Sequence, residues 1–149
     1  MNNDLKKAFN ILDSLDSDFD GPKKLILIDA AEAKLGVVFP KSYRTFLEKY
    51  GCGDVLGFEI YGVIHDDFEN SSIPDSVWLT LDQRKSGLSK SMIIIATTPY
   101  GGFYAIDTDQ ATGDNESAIV EIAPNGRQTV TNNNFGNFLL EQIESFRES

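Results

Sequence analysis

The chain has 149 residues and carries 13 Lys+Arg against 23 Asp+Glu, a formal net charge of −10 with its one His neutral. That length is one domain's worth, and 41% hydrophobic residues with ten Phe, five Tyr and one Trp supply a real core, which excludes disorder and a stapled miniprotein. One Cys and one His cannot build a disulfide framework or a Cys/His zinc site.

Residues 4–15 place Leu5, Ala8, Ile11, Leu12 and Leu15 at helical spacing, and Asp16 to Pro22 then reads as an acidic, turn-rich break. A second helix is expected to open at Asp29, with Glu32 completing a capping box, Ile28, Ala31 and Leu35 inward, and Gly36 as its left-handed stop. The third helix, with Pro40 at its first position, shows Tyr43, Phe46, Leu47 and Tyr50 at i, i+3, i+4 and i+7 before Gly51. Leu56, Phe58, Ile60, Gly62 and Ile64 then alternate at the period of a single strand. Residues 74–86 form a short helix opened by Pro74 and closed by Gly87, with Val77, Trp78 and Leu81 inward. Four strands follow, Met92–Thr97, Gly102–Asp107, Ala118–Ile122 and Gln128–Thr131, and their short connections imply antiparallel pairing. A last helix is capped by Asn133 or Asn134 and buries Phe135, Phe138, Leu139, Ile143 and Phe146. The expected architecture is α+β: an antiparallel sheet of about five or six strands with N-terminal helices and a C-terminal helix packed on it. Its core contains Leu35, Phe46, Leu47, Phe58, Ile60, Ile94, Tyr104, Ile106 and Phe138.

The charge is unevenly placed. Residues 50–83 carry seven acids and no Lys or Arg, and residues 91–126 carry five acids and no Lys or Arg, so the remainder of the chain is net +2. Two readings stand: ordinary loop solubilisers, because turns favour Asp, and a negative face that attracts a basic partner. An acidic surface repels phosphate backbones and acidic headgroups, so neither nucleic acid nor membrane is expected as a direct partner. The longest purely apolar run, Met92 to Ala96, is far short of the ~20 residues of a membrane helix, and the charged N-terminus shows no targeting segment, which points to the cytoplasm.

The search for chemistry returns little. Asp16-Ser17-Asp18-Phe19-Asp20-Gly21 matches the first half of a calcium loop, but the twelfth position is Leu27; the run from Asp107 likewise ends on Ala118. Both read as connections. Gly51-Cys52-Gly53-Asp54-Val55-Leu56-Gly57 has the wrong spacing for a phosphate loop and follows a helix, where the dipole's negative end disfavours a Cys52 thiolate. His65 has no nucleophile motif to serve. No catalytic residue, cofactor or metal is expected.

In order, Ile28 to Glu32, Leu35-Gly36, Phe39-Pro40, Tyr43, Phe46-Leu47, Tyr50-Gly51-Cys52-Gly53, then Phe58, Ile60 and Gly62, form a phrase that resembles the SUKH superfamily. The resemblance continues through Ile93–Ile95, Gly101–Asp107 and the closing Phe135/Phe138/Leu139 helix, covering about residues 26–147 of a single domain at 1–149 and leaving the first helix outside. It implies an immunity protein that binds and neutralises a cognate toxin domain, often a nuclease, or a module regulating cell-wall assembly. Neither role needs catalysis. Acids beside aromatics are the candidate partner contacts: Asp54, Glu59, Tyr61, Asp66, Asp67, Glu69, Tyr100, Asp107 and Asp109.

Overall fold

In the computed structural model, which describes residues 2–15 and 17–148, the first element is α1 (Asn3–Ser14). Asn2 caps it, its Oδ1 accepting the Leu5 N–H at 2.7 Å. Phe9 joins the expected stripe of Leu5, Ala8 and Leu12. The acidic break is partly a strand. Asp18–Phe19 (β1) pairs antiparallel with Gly53 and Asp54, and Asp20 forms an ion pair with Lys23; Asp16, the first position of the calcium-like run, lies outside the described residues.

Helix α2 (Leu25–Leu35) starts four residues before the expected Asp29, and its Lys24 cap makes no side-chain bond. The capping box does not form because Glu32 has better partners. Its Oε2 accepts the Phe39 N–H and its Oε1 takes Arg44 Nη1, both at 2.6 Å, while Arg44 Nη2 reaches Asp29 at 2.6 Å. Arg44 thereby clamps α2 to α3 (Lys41–Lys49). Removing the Glu32 carboxylate by Glu32→Ala strands a backbone donor and a half-buried guanidinium, and should cost about 1–3 kcal/mol in urea unfolding. Asp29→Ala, at the exposed end of the clamp, should cost less than about 1 kcal/mol. Equal losses would move the clamp to Asp29.

Gly36 ends α2 in the left-handed conformation, as its lack of a Cβ permits. Pro40 is the cap of α3 and not its first helical residue, and the first orphan donor of the helix, Lys41 N–H, bonds the distant Asn115 C=O at 2.7 Å. Tyr43, Phe46 and Leu47 are fully buried.

The expected strand through Ile64 is a hairpin, β2 (Gly53–Val55) and β3 (Phe58–Ile60), turning at Leu56–Gly57. Both turn residues have positive φ, and Asp54 Oδ1 accepts the Gly57 N–H at 2.9 Å. After a 3-10 turn at Phe68–Asn70 comes α4 (Ser76–Arg84), opened by Asp75 and not by Pro74. Its carboxylate accepts the Val77 and Trp78 N–H groups at 2.9 and 3.1 Å. Burial pushes the Asp75 pKa up, and those two bonds pull against it. Val77 and Leu79 are buried, with Trp78 and Leu81 half-buried.

β4 (Met92–Thr97), β5 (Phe103–Gly113), β6 (Glu116–Ile122) and β7 (Gln128–Asn132) form an antiparallel meander. β5 continues past Asp107, where the sequence suggested a loop, to a two-residue turn at Asp114–Asn115. Asn134 caps α5 (Phe135–Glu148), its Oδ1 accepting the Asn137 N–H at 2.9 Å. The fold is α+β. Among the described residues seven strands divide into two sheets, β1-β2-β3 and β4-β5-β6-β7, where a single sheet was expected. α5 lies against α1, α3 and the second sheet. Every expected core residue is buried except Tyr104, which is half-buried with its ring 5.1 Å from that of Phe138.

Candidate functional site

Four places on the fold hold the acids and aromatics singled out by the sequence. The first is a cleft of about 690 Å³ between the β2–β3 hairpin, the β4–β5 turn, the end of β7 and α5. The turn is built on Thr98: its Oγ1 accepts the N–H of Gly102 at 2.9 Å and of Tyr100 at 3.3 Å, which holds Tyr100 out at the lip with 81% of its surface exposed. Phe58, Tyr104 and Phe146 supply apolar wall, the Phe58 and Phe146 rings lying 5.2 Å apart. Glu59 projects from β3. Partial burial first, and the facing Asp54 second, push its carboxyl pKa up, so a cation arriving beside it relieves both effects. On the opposite wall Asn132 donates to Asn137 Oδ1 at 2.8 Å and also to Glu141, fixing the Glu141 carboxylate at the cleft edge.

The second place is the loop before α4. Asp66 and Asp67 are exposed; Asp67 accepts from Asn70 Nδ2 at 3.1 Å, and its N–H goes to His65 Nδ1 at 3.2 Å, so the imidazole serves as a loop acceptor. Glu69 is exposed but ion-paired with Lys34 at 2.6 Å. The third place is the far end of β5, where Asp109 is exposed. Asp54 belongs to the fourth, the β2–β3 turn it closes.

Two candidate contacts are buried. Tyr61 is only 3% exposed, packed with Leu79 and Ile94, and its C=O accepts the Tyr43 hydroxyl at 2.8 Å. Asp107 is 6% exposed and accepts from the Ser91 hydroxyl, the Asp109 N–H and the Gln110 amide at 3.0, 3.1 and 2.9 Å. Both are structural positions: Tyr61 packs against α4 and β4, and the Asp107 carboxylate finds three donors inside the fold. The cleft brings together Glu59 and Tyr100 from the expected set. Sequence reasoning missed Glu141 and Asn132, and assigned Phe58, Tyr104 and Phe146 to the core alone.

The charge asymmetry has a structural basis. Among the described residues the ion pairs are built on four cations, Lys23, Lys34, Arg44 and Lys49, all in residues 23–49. Three of the four pair within the helical half and Lys34 takes Glu69, whereas Glu59, Asp66, Asp67, Asp109 and Asp114 stand exposed with no ion pair among the described residues. Cys52 is buried, and burial first, then Asp20, push its thiol pKa up to about 11, which leaves it protonated and unreactive near neutrality. Among the described residues no group of His, Cys, Asp or Glu is placed to hold a metal ion, and no helix is long and apolar enough to cross a membrane. Carboxylates, phenols and ring faces suit recognition of a cationic group.

The chain matches the family model described as SUKH_5, SMI1-KNR4 cell-wall, over residues 4–144. It therefore belongs to that SUKH family. The match begins at residue 4 and takes in α1, which the resemblance had left outside. No curated protein matches the chain.

Proposed function

We propose that the protein is a non-catalytic immunity protein that binds a cognate toxin domain in the cytoplasm and blocks its active surface. A nuclease fits best as the toxin, since its surface must be positive to hold nucleic acid. The observation carrying this reading is the set of exposed acids without ion pairs around the two sheets, with an exposed tyrosine at the lip of an aromatic cleft. Tyr100 and Phe146 offer contact area, and Glu59, Asp66, Asp67 and Asp109 offer attraction and rejection of wrong partners. A second reading, a regulatory or scaffolding module for envelope synthesis, is favoured by the cell-wall description of the matching family.

The test is to capture the protein that co-purifies with this chain and to measure its association kinetics at two ionic strengths. Glu59→Lys, and separately the pair Asp66→Lys and Asp67→Lys, should slow association about tenfold at low salt and flatten its salt dependence. Glu144→Lys, at an exposed position of α5, should change little. If Glu144→Lys were the damaging change, the acidic surface would not be the contact. A wild-type protein that ignores the toxin and co-purifies with envelope-synthesis proteins would favour the second reading.

A further inference from the structure

The four-stranded sheet ends in two edges that the chain treats differently. Along β4 the outward main chain is covered: Ile94 N–H donates to Thr80 Oγ1 at 3.0 Å, Ile94 C=O accepts the Ser76 hydroxyl, and Ile95 C=O accepts the Tyr61 N–H at 2.7 Å. Along β7 nothing comparable occurs. Residues 128–131 are exposed at four consecutive positions, hence on both faces. Among the described residues no hydrogen bond from outside the β6 ladder reaches their main chain.

The ladder shows which groups point away. Ala123 N–H donates to Arg127 C=O at 2.9 Å, so alternation directs Thr129 toward β6 and turns the main chain of Gln128 and Val130 outward. Native edges are blunted by Lys, Pro or inward charges, and Gln128–Asn132 has none of these. The surroundings specify the occupant. Tyr104, Glu121 and Thr129 stand in direct register across β5, β6 and β7 and share one face, and the end of β7 borders the cleft beside Glu141.

We propose that β7 is a docking edge to which an extended segment of the partner protein adds as a fifth strand, setting Lys or Arg side chains at alternate positions over the face that holds Glu121, Glu141 and Tyr104. The inference rests on the partner-binding reading above and specifies where the partner's backbone engages. Main-chain bonds supply the grip, and the carboxylates select the charge of every second side chain.

The probe is the peptide acetyl-Thr-Lys-Val-Lys-Val-Lys-Thr-amide at up to millimolar concentration, read by hydrogen exchange and by titration at low and high salt. Saturable protection of Gln128 and Val130 amides, weakened by salt, is expected, and the same peptide with Glu for Lys should not bind. Val130→Pro removes one outward N–H at an edge that accommodates proline, and should weaken binding about tenfold, while Val130→Thr keeps the N–H and the affinity. Should the proline variant not fold, two N-methylated peptides, blocked on the lysine or on the valine amides, take its place, and one of them must lose binding. The proposal is overturned by absence of saturable protection, by equal binding of the Glu peptide, by a proline variant of unchanged affinity, or by concentration-dependent self-association that Val130→Pro abolishes. Loss of the edge with a salt-sensitive toxin complex intact leaves the immunity reading standing; a wild-type protein that binds no toxin removes that reading whatever the peptide does.

Discussion

Phe46→Ala should lower the free energy of unfolding by about 3–5 kcal/mol, measured by denaturant titration with Trp78 fluorescence as the signal. The Phe46 side chain is fully buried where four rings converge, two from α3 and its cap and one each from α5 and β1. Its centroid lies 5.3 Å from Phe135 of α5, 5.7 Å from Tyr50, 6.0 Å from Phe19 of β1 and 6.4 Å from Tyr43. A cavity walled by rings on separate elements closes only if those elements move together, so the residual void stays large and the upper part of the range applies. Against a typical total of about 5–15 kcal/mol, the variant would sit near the threshold of folding. A loss below about 1.5 kcal/mol would mean that the ring does not lie at this junction.

The second large effect comes from adding one carbon. A Cβ at Gly62 would stand 1.7 Å from the Gly51 carbonyl oxygen and 2.9 Å from Leu47 Cδ2. The backbone cannot withdraw, because Gly62 N–H bonds Pro74 C=O at 3.1 Å, its C=O accepts the Ser76 N–H at 2.7 Å, and the Val63 N–H holds the Gly51 oxygen at 3.2 Å. Gly62→Ala should therefore cost about 3 kcal/mol or more, a fall of roughly 10 °C in melting temperature for a chain of this size. Gly126→Ala is the control: open space surrounds that position, and only its positive φ opposes a side chain, for about 1 kcal/mol. Melting within 2 or 3 degrees of wild type for Gly62→Ala would contradict the close approach of the two strands of backbone.

Why some elements were legible and others not follows from how they are held. α3 announces itself because Tyr43, Phe46 and Leu47 need only a helix to reach one side, and Met92–Thr97 because its apolar run is bounded by polar turns. β1 has two residues and exists through main-chain pairing with β2, which leaves no side-chain period to read. The β2–β3 hairpin was hidden by Leu56, an apolar residue in a left-handed turn that falls at an alternating position and so mimics a strand. Glu32 looked like a cap because its spacing from Asp29 is right, but Arg44 and Phe39 arrive through tertiary packing and outcompete that local bond. The cleft has the same origin: Glu59, Tyr100, Asn132 and Glu141 come from four separate elements, and only the folded arrangement of α5 across the sheet edge makes them neighbours. The acidic surplus of the sheet segments was legible, yet Asp75 and Asp107 within it serve the interior.

The packing of α1 against α5 joins two helices far apart in sequence, and this sets an order on biosynthesis. The apolar stripe of Leu5, Ala8, Phe9 and Leu12 leaves the ribosome long before the helix that covers it with Phe135, Phe138 and Leu139. At about 5–20 residues per second, the stripe waits roughly 6–25 seconds for its native partner to be made. α5 walls both the core and the cleft, so neither closes until that helix has been made.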